Sequence, residues 1–147
     1  MKIRFVLLVL LTTSLFGEPI QNKYMSCGYT LFATETNKYG EHSINWLQGC
    51  VGLDANKTIV GLVRNITLKD VFGNILYKNT SEKIITTINY NKTSYIYLET
   101  KDNEFIQDEL YDKLYPSVKN KSLDVNITIQ KILFKDGSTF EPQKQVD

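Results

Sequence analysis

Hydrophobic and polar side chains alternate most cleanly late in the chain. Leu123, Val125, Ile127 and Ile129 occupy one set of alternate positions, and Asp124, Asn126, Thr128 and Gln130 the other. Successive side chains of a strand point to opposite faces, so the pattern predicts a half-buried strand with the four aliphatic residues inward and the four polar ones exposed. Ile59 to Val63 is almost continuously apolar, as suits a strand buried on both faces, and Ile66 and Leu68 then alternate with Asn65, Thr67 and Lys69. Tyr24 to Thr34 and Asn45 to Leu53 are rich enough in aromatic and β-branched residues for two more strands, joined through the polar stretch Asn37 to Ser43. Ile75 to Tyr77, Ile84 to Tyr90 and Tyr95 to Leu98 add three shorter runs. Asp54 to Lys57, Gly73-Asn74, Asn91 to Thr93 and Asp136-Gly137 supply turns, the last placed so that Ser138 to Phe140 can pair back.

One segment follows the helical period instead. Asp102 or Asn103 can cap a helix that carries Ile106, Leu110 and Leu114 on one face, with Glu104, Asp108 and Asp112 elsewhere. Pro116 is expected to stop it. About seven short strands and one late helix predict a mostly β domain, an immunoglobulin-like antiparallel β-sandwich with the short helix in a late crossover.

The start of the chain fits neither period. Lys2 and Arg4 precede the unbroken apolar run Phe5 to Leu11, and Leu15-Phe16-Gly17 ends on a small residue before Glu18. A basic start, a short apolar stretch and a small residue are the order of a secretory signal. Residues 1–17 are therefore expected to be a cleaved leader, 18–141 a single domain and 142–147 a short polar tail. The apolar run falls short of the roughly 18 residues that a transmembrane anchor needs. Cys27 lies too far beyond it to be a lipid-modified cysteine that directly follows the apolar run.

The whole chain has 147 residues, 42% apolar and 22% charged, the make-up of one globular domain. Without the leader its 17 Lys and Arg fall to 15 against 16 Asp and Glu. That balance supplies no electrostatic reason to expect nucleic acid or an anionic membrane as partner. The two cysteines, Cys27 and Cys50, form an even count in a chain read as exported, and so are expected to be bridged.

Three stretches together resemble a known family. Ile59-Val60-Gly61-Leu62-Val63-Arg64-Asn65 looks like the strand opening of FxLYD-type domains, which are small immunoglobulin-like sandwiches of exported bacterial proteins. Asp70-Val71-Phe72-Gly73-Asn74-Ile75 resembles the turn that follows in such domains, and Ile132-Leu133-Phe134-Lys135-Asp136-Gly137-Ser138 is similar to a closing strand and DG turn. The resemblance implies the sandwich fold and a binding or spacer role. It implies no enzyme activity and transfers no functional residue.

Candidate chemistry is sparse. Asn56, Asn65, Asn79, Asn91, Asn120 and Asn126 each precede Ser or Thr by two residues, six sequons where this composition would give about two by chance. Asp54 and Asp124 lie two residues before Asn56 and Asn126, an acidic context that makes these two the candidate glycosylation sites. The acidic group Asp102, Glu104, Asp108, Glu109 and Asp112 has Gln107 and Lys113 where a calcium loop needs Gly and Glu, so it reads as a solvated helix face. His42 is the single histidine, with no second ligand type near it in sequence. No G-x-S-x-G, H-E-x-x-H or glycine-rich phosphate loop occurs. No catalytic residue, metal site or cofactor is therefore expected. Tyr95 and Tyr97 on one strand face, and Tyr111 and Tyr115 one helical turn apart, are the candidate recognition aromatics.

These features point to a non-enzymatic periplasmic or secreted binding or structural module whose partner is another envelope protein or a glycan. Two other readings stay open. An inhibitor or immunity-type protein acting on a cell-envelope enzyme would need a protruding ordered loop, with Asn37 to Ser43 or Lys101 to Tyr115 as candidates. A small exported hydrolase would need His42 beside a nucleophile and a carboxylate.

Overall fold

A computed structural model describes residues 12–36, 38–40, 42–97 and 104–142. Two antiparallel sheets form a β-sandwich, with one helix crossing between them. The first sheet holds β1 (Thr12–Phe16), β3 (Met25–Thr36), β4 (His42–Gly52) and β7 (Thr93–Tyr97) in that order, and short β2 (Ile20–Gln21) also pairs with β3. The second runs β6 (Ile75–Ile88), β5 (Ile59–Lys69), β8 (Asp124–Phe134) and β9 (Thr139–Phe140). The mostly β sandwich expected from the strand pattern is thus the fold observed.

Bulges set the phase of the inward positions. From Val63 to Arg64, β5 advances one residue while β8 moves two, from Lys131 to Ile129, leaving Gln130 as the extra residue. Val125 and Ile129 face inward before the bulge, and Ile132 and Phe134 after it. The expected strand and the following Ile132-Leu133-Phe134 run are therefore one strand, whose alternation slips once. Thr128 and Gln130 are half-buried rather than exposed, and Ile127 is only half-buried. At the bulge, Gln130 Oε1 accepts a hydrogen bond from Ser81 Oγ at 3.1 Å, which partly covers Gln130. Leu123, Val125, Asp124 and Asn126 stand as expected. Ile129→Ala should cost about 2 to 5 kcal/mol, and Asp124→Ala should stay within about 0.5 kcal/mol. Chemical denaturation of the two variants compares them directly.

Ile75 to Tyr77 and Ile84 to Ile88 likewise belong to one strand, and the expected run's last two residues, Asn89 and Tyr90, lie beyond its end. β6 passes through polar Asn79 to Glu82 by a bulge at Ser81, whose φ is 56°. Asn65 Oδ1 accepts the Ser81 backbone N–H at 2.8 Å and holds the bulge.

Helix α1 spans Glu104–Lys119 and carries Pro116 inside it, so Pro116 does not end it. The proline withholds only the N–H that the carbonyl of Asp112 would have received, and Asp112 is exposed to water. Burial of Leu114, Ser117 and Val118 keeps the last turn in place. Termination comes from Lys121, at φ 54°: Ser122 N–H donates to Ser117 O at 2.9 Å and Lys121 N–H to Val118 O at 3.2 Å, the paired bonds of a Schellman cap. The expected capping residues Asp102 and Asn103 lie outside the described residues.

The core has two hydrophobic halves. In one, Phe32 and Trp46 of the first sheet meet Ile66, Leu68 and Val125 of the second and Leu110, Leu114 and Val118 of the helix. In the other, Met25, Cys27, Cys50 and Ile96 face Ile59, Leu62, Ile88, Ile129 and Ile132. Cys27 and Cys50 are bridged, as expected, and are register partners on adjacent strands. The bridge therefore clamps the β3–β4 hairpin rather than tying sheet to sheet. Replacing both cysteines by alanine should cost about 3 kcal/mol in the chain-entropy account, read as a shift in denaturation midpoint.

Candidate functional site

Between the two halves of the core runs a belt of buried polar side chains. On β3, Thr30 lies between Cys27 and Phe32; on β4, Gln48 lies between Cys50 and Trp46; on β5, Arg64 lies between Leu62 and Ile66. Gln48 satisfies its amide by donating to Gly28 O at 2.9 Å, the carbonyl freed where β3 bulges between Cys27 and Thr30. Arg64 is 0% exposed, and its Nε donates to Glu82 Oε2 at 3.0 Å. Burial lowers the guanidinium pKa, and the bond to Glu82 and its charge offset only part of that. Tyr77 is raised by burial, against a hydrogen bond with Asn79 that lowers it. Nothing in the local sequence around Arg64 marks it as buried. Its partner lies 18 residues away, and only the register Arg64↔Glu82 brings the two together.

One end of the belt opens at the side of the sandwich. Thr30 contributes to the lining of a cavity of about 530 Å³, together with Gly17, Glu18 and Pro19 from the β1–β2 link, Ile20 of β2 and the stretch from Leu123 to Thr128. Two sheet margins flank this cavity. On the first sheet, β1 covers β3 from Thr30 to Thr34 and β2 covers Ser26 and Cys27. On the second, β9 pairs only with Ile132 and Leu133, so among the described residues no strand covers Asp124 to Lys131 on the side away from β5. Phe16 ends β1 in the core, 6% exposed and edge-on to Phe32 with ring centroids 5.3 Å apart. Gly17 follows at φ 74°, and a Cβ there would meet Val125 O at 3.2 Å.

The residues singled out from sequence are dispersed. Asn56 is exposed in a turn where Asp54 Oδ1 accepts its N–H at 2.8 Å, and Asn126 is exposed on β8 at the cavity. Tyr95 is exposed on β7 beside Gly49, and the side chain of Tyr97 lies outside those described. Tyr111 and Tyr115 stack on one another at 5.1 Å on the helix, half-buried, with Lys119 Nζ 6.0 Å from the Tyr115 ring. Burial raises the Tyr111 pKa, with smaller contributions from Tyr115 and Asp112. The tyrosines thus sit on separate elements.

Of the loops considered for inhibition, Lys38 to Gly40 is a turn that exposes Tyr39, whereas the helix over Glu104 to Tyr115 packs Leu110 and Leu114 into the core and does not protrude. A turn held by side-chain hydrogen bonds lies elsewhere. Asp70 Oδ1 accepts the N–H groups of Phe72 and Asn74, both at 2.9 Å, and this turn presents Phe72 at 86% exposure. The Asn74 side-chain amide, bonded to Asp70 Oδ2 at 3.0 Å, lowers the Asp70 pKa most, and the two backbone bonds add to it. Lys57 Nζ bonds Asp136 Oδ2 at 2.6 Å and pins the final turn, pulling the Asp136 carboxyl well below the ordinary range. His42 starts β4 opposite Thr36, and its side chain lies outside those described. Among the described residues no group of three or more His, Cys, Asp or Glu could hold a metal ion, and no helix is long and apolar enough to cross a membrane.

Comparison with protein-family models, with curated proteins and with solved structures finds no match for this chain.

Proposed function

We propose that the protein is an exported, non-enzymatic binding module: a disulfide-clamped β-sandwich that acts in the cell envelope by holding another envelope protein or a glycan. The observation that carries the reading is the flanked cavity. It lies where Gly17, the expected end of the leader, meets the margins of both sheets, so removal of the leader would widen it along β3 while leaving its lining from Glu18 to Ile20, at Thr30 and from Leu123 to Thr128 in the chain. The leader-like order of residues 1–17 supports export, and a bridged Cys27–Cys50 pair is what an oxidising compartment produces. The sequons at Asn56 and Asn126 are both exposed, and a glycan on Asn126 would stand at the rim of the cavity.

A second reading has one observation in its favour. The turn held by Asp70 presents Val71 and Phe72 on a hydrogen-bonded tip, the form that an inhibitor of an envelope enzyme would use to plug a cleft. Affinity capture from envelope extract separates the two. The immobilised processed chain should retain a defined envelope protein or glycan, and Phe72→Ser should leave that retention unchanged. Loss of retention with Phe72→Ser favours the inhibitor reading, and retention of nothing refutes the binding role.

A further inference from the structure

We infer that, in the processed chain, the edge of β3 from Thr30 to Thr34 accepts an extended segment of a partner polypeptide, antiparallel to β3 and carrying an aromatic residue followed by glycine. The inference deepens the proposed function and rests on the export reading.

The chain itself shows what fits this edge. Thr12–Phe16 pairs with β3 in the register Thr12↔Thr34 to Phe16↔Thr30. Leu15 is exposed, and Phe16 fills the space beside Phe32. Gly17 then turns away in a left-handed conformation that other residues adopt only under strain, against the backbone of Val125. Cleavage after Gly17 would remove this whole strand. It would leave β3 with a row of unpaired N–H and C=O groups and the core with an aromatic-sized opening at Phe32. An open edge of this kind is a template for strand addition, in which main-chain bonds give affinity and side-chain pockets give specificity.

The occupant has to come from another protein. After cleavage the chain would begin at Glu18, and Ile20 and Gln21 are already seated on Cys27 and Ser26, so two free residues cannot reach Thr30 to Thr34. Two other aromatic–glycine pairs occur in the chain, Tyr39-Gly40 and Phe72-Gly73, and both lie at turns rather than in extended segments. A second copy therefore has no matching strand to donate among the described residues. The margin of β8 that no strand covers among the described residues, on the far side of the cavity, leaves room for the incoming segment to continue past its glycine.

The test overproduces the full chain with its own leader in a bacterium, recovers it from the envelope, and determines its N-terminus and oligomeric state. Amide exchange is then followed with and without a synthetic peptide of residues 11–17, and with peptide versions carrying Phe16→Ala or Ser14→Pro. Because only the peptide varies, the folding of the protein is not at issue. The expected result is a monomer that begins at Glu18 and whose Thr30 to Thr34 amides slow by at least about tenfold with the parent peptide. Neither variant peptide should produce that slowing. A cleaved monomer whose amides are already protected, or are never protected by the peptide, overturns strand acceptance and leaves export standing. A cleaved oligomer that protects these amides and loses the protection on dilution assigns the edge to a second copy and also overturns the inference. A chain that retains residues 1–17 overturns both the inference and the export reading.

Discussion

Glu82→Ala should destabilise the protein by about 3 to 5 kcal/mol, because it leaves the Arg64 charge in the core without its carboxylate. Arg64 is fully buried, and the Glu82 side chain is only 9% exposed. Outside the protein both groups are hydrated, and inside it the mutual bond compensates for that lost water. Removing one partner therefore costs far more than removing both. The double variant Arg64→Met with Glu82→Leu should recover most of the loss, since two apolar side chains of similar size would join the two hydrophobic halves of the core. A double-mutant cycle by chemical denaturation measures the difference. A Glu82→Ala cost under about 1 kcal/mol would mean that the pair is hydrated and the belt is not dry.

Trp46→Ala should be comparably severe, at about 3 to 5 kcal/mol, the range for large aromatic truncations in a core. Trp46 is 3% exposed and edge-on to two rings, Phe32 of its own sheet at 5.2 Å and Tyr77 of the opposite sheet at 5.3 Å. It joins both sheets to the helix, which packs against β4 and β6. Tyr95→Ala, on the exposed face of the same sheet, should change stability by no more than about 0.5 kcal/mol. Far-ultraviolet circular dichroism follows both unfolding transitions without relying on the single tryptophan. Equal losses would contradict the assignment of Trp46 to the core and Tyr95 to the surface.

These two sites were unequally visible in the sequence. Strand positions such as Val125 and Ile129 are legible because a pleat converts alternation directly into burial. The bulges at Gln130 and Ser81 are not, since one inserted residue has no fixed signature when polar side chains surround it. β6 therefore reads as two strands broken at Asn79 to Glu82, although the backbone runs through. The inward position of Arg64 follows from the phase that the bulge at Val60 sets in β5, and its partner from pairing with β6. Neither can be deduced from neighbours in sequence. Pro116 suggested a helix end, but the cap belongs to Lys121, an ordinary residue in a left-handed conformation. The cavity was the least legible feature, because Gly17 and Val125 are more than a hundred positions apart. What the sequence did offer there was the leader pattern ending at Gly17, and the structure places that point beside the opening between the sheets.

The intact mass of the chain recovered from the envelope tests the exported, edge-opened sandwich most directly. The expected chain begins at Glu18, carries no free thiol and gains two alkylated cysteines only after reduction. A chain that still carries Met1 to Gly17, with both cysteines alkylated before reduction, would contradict it.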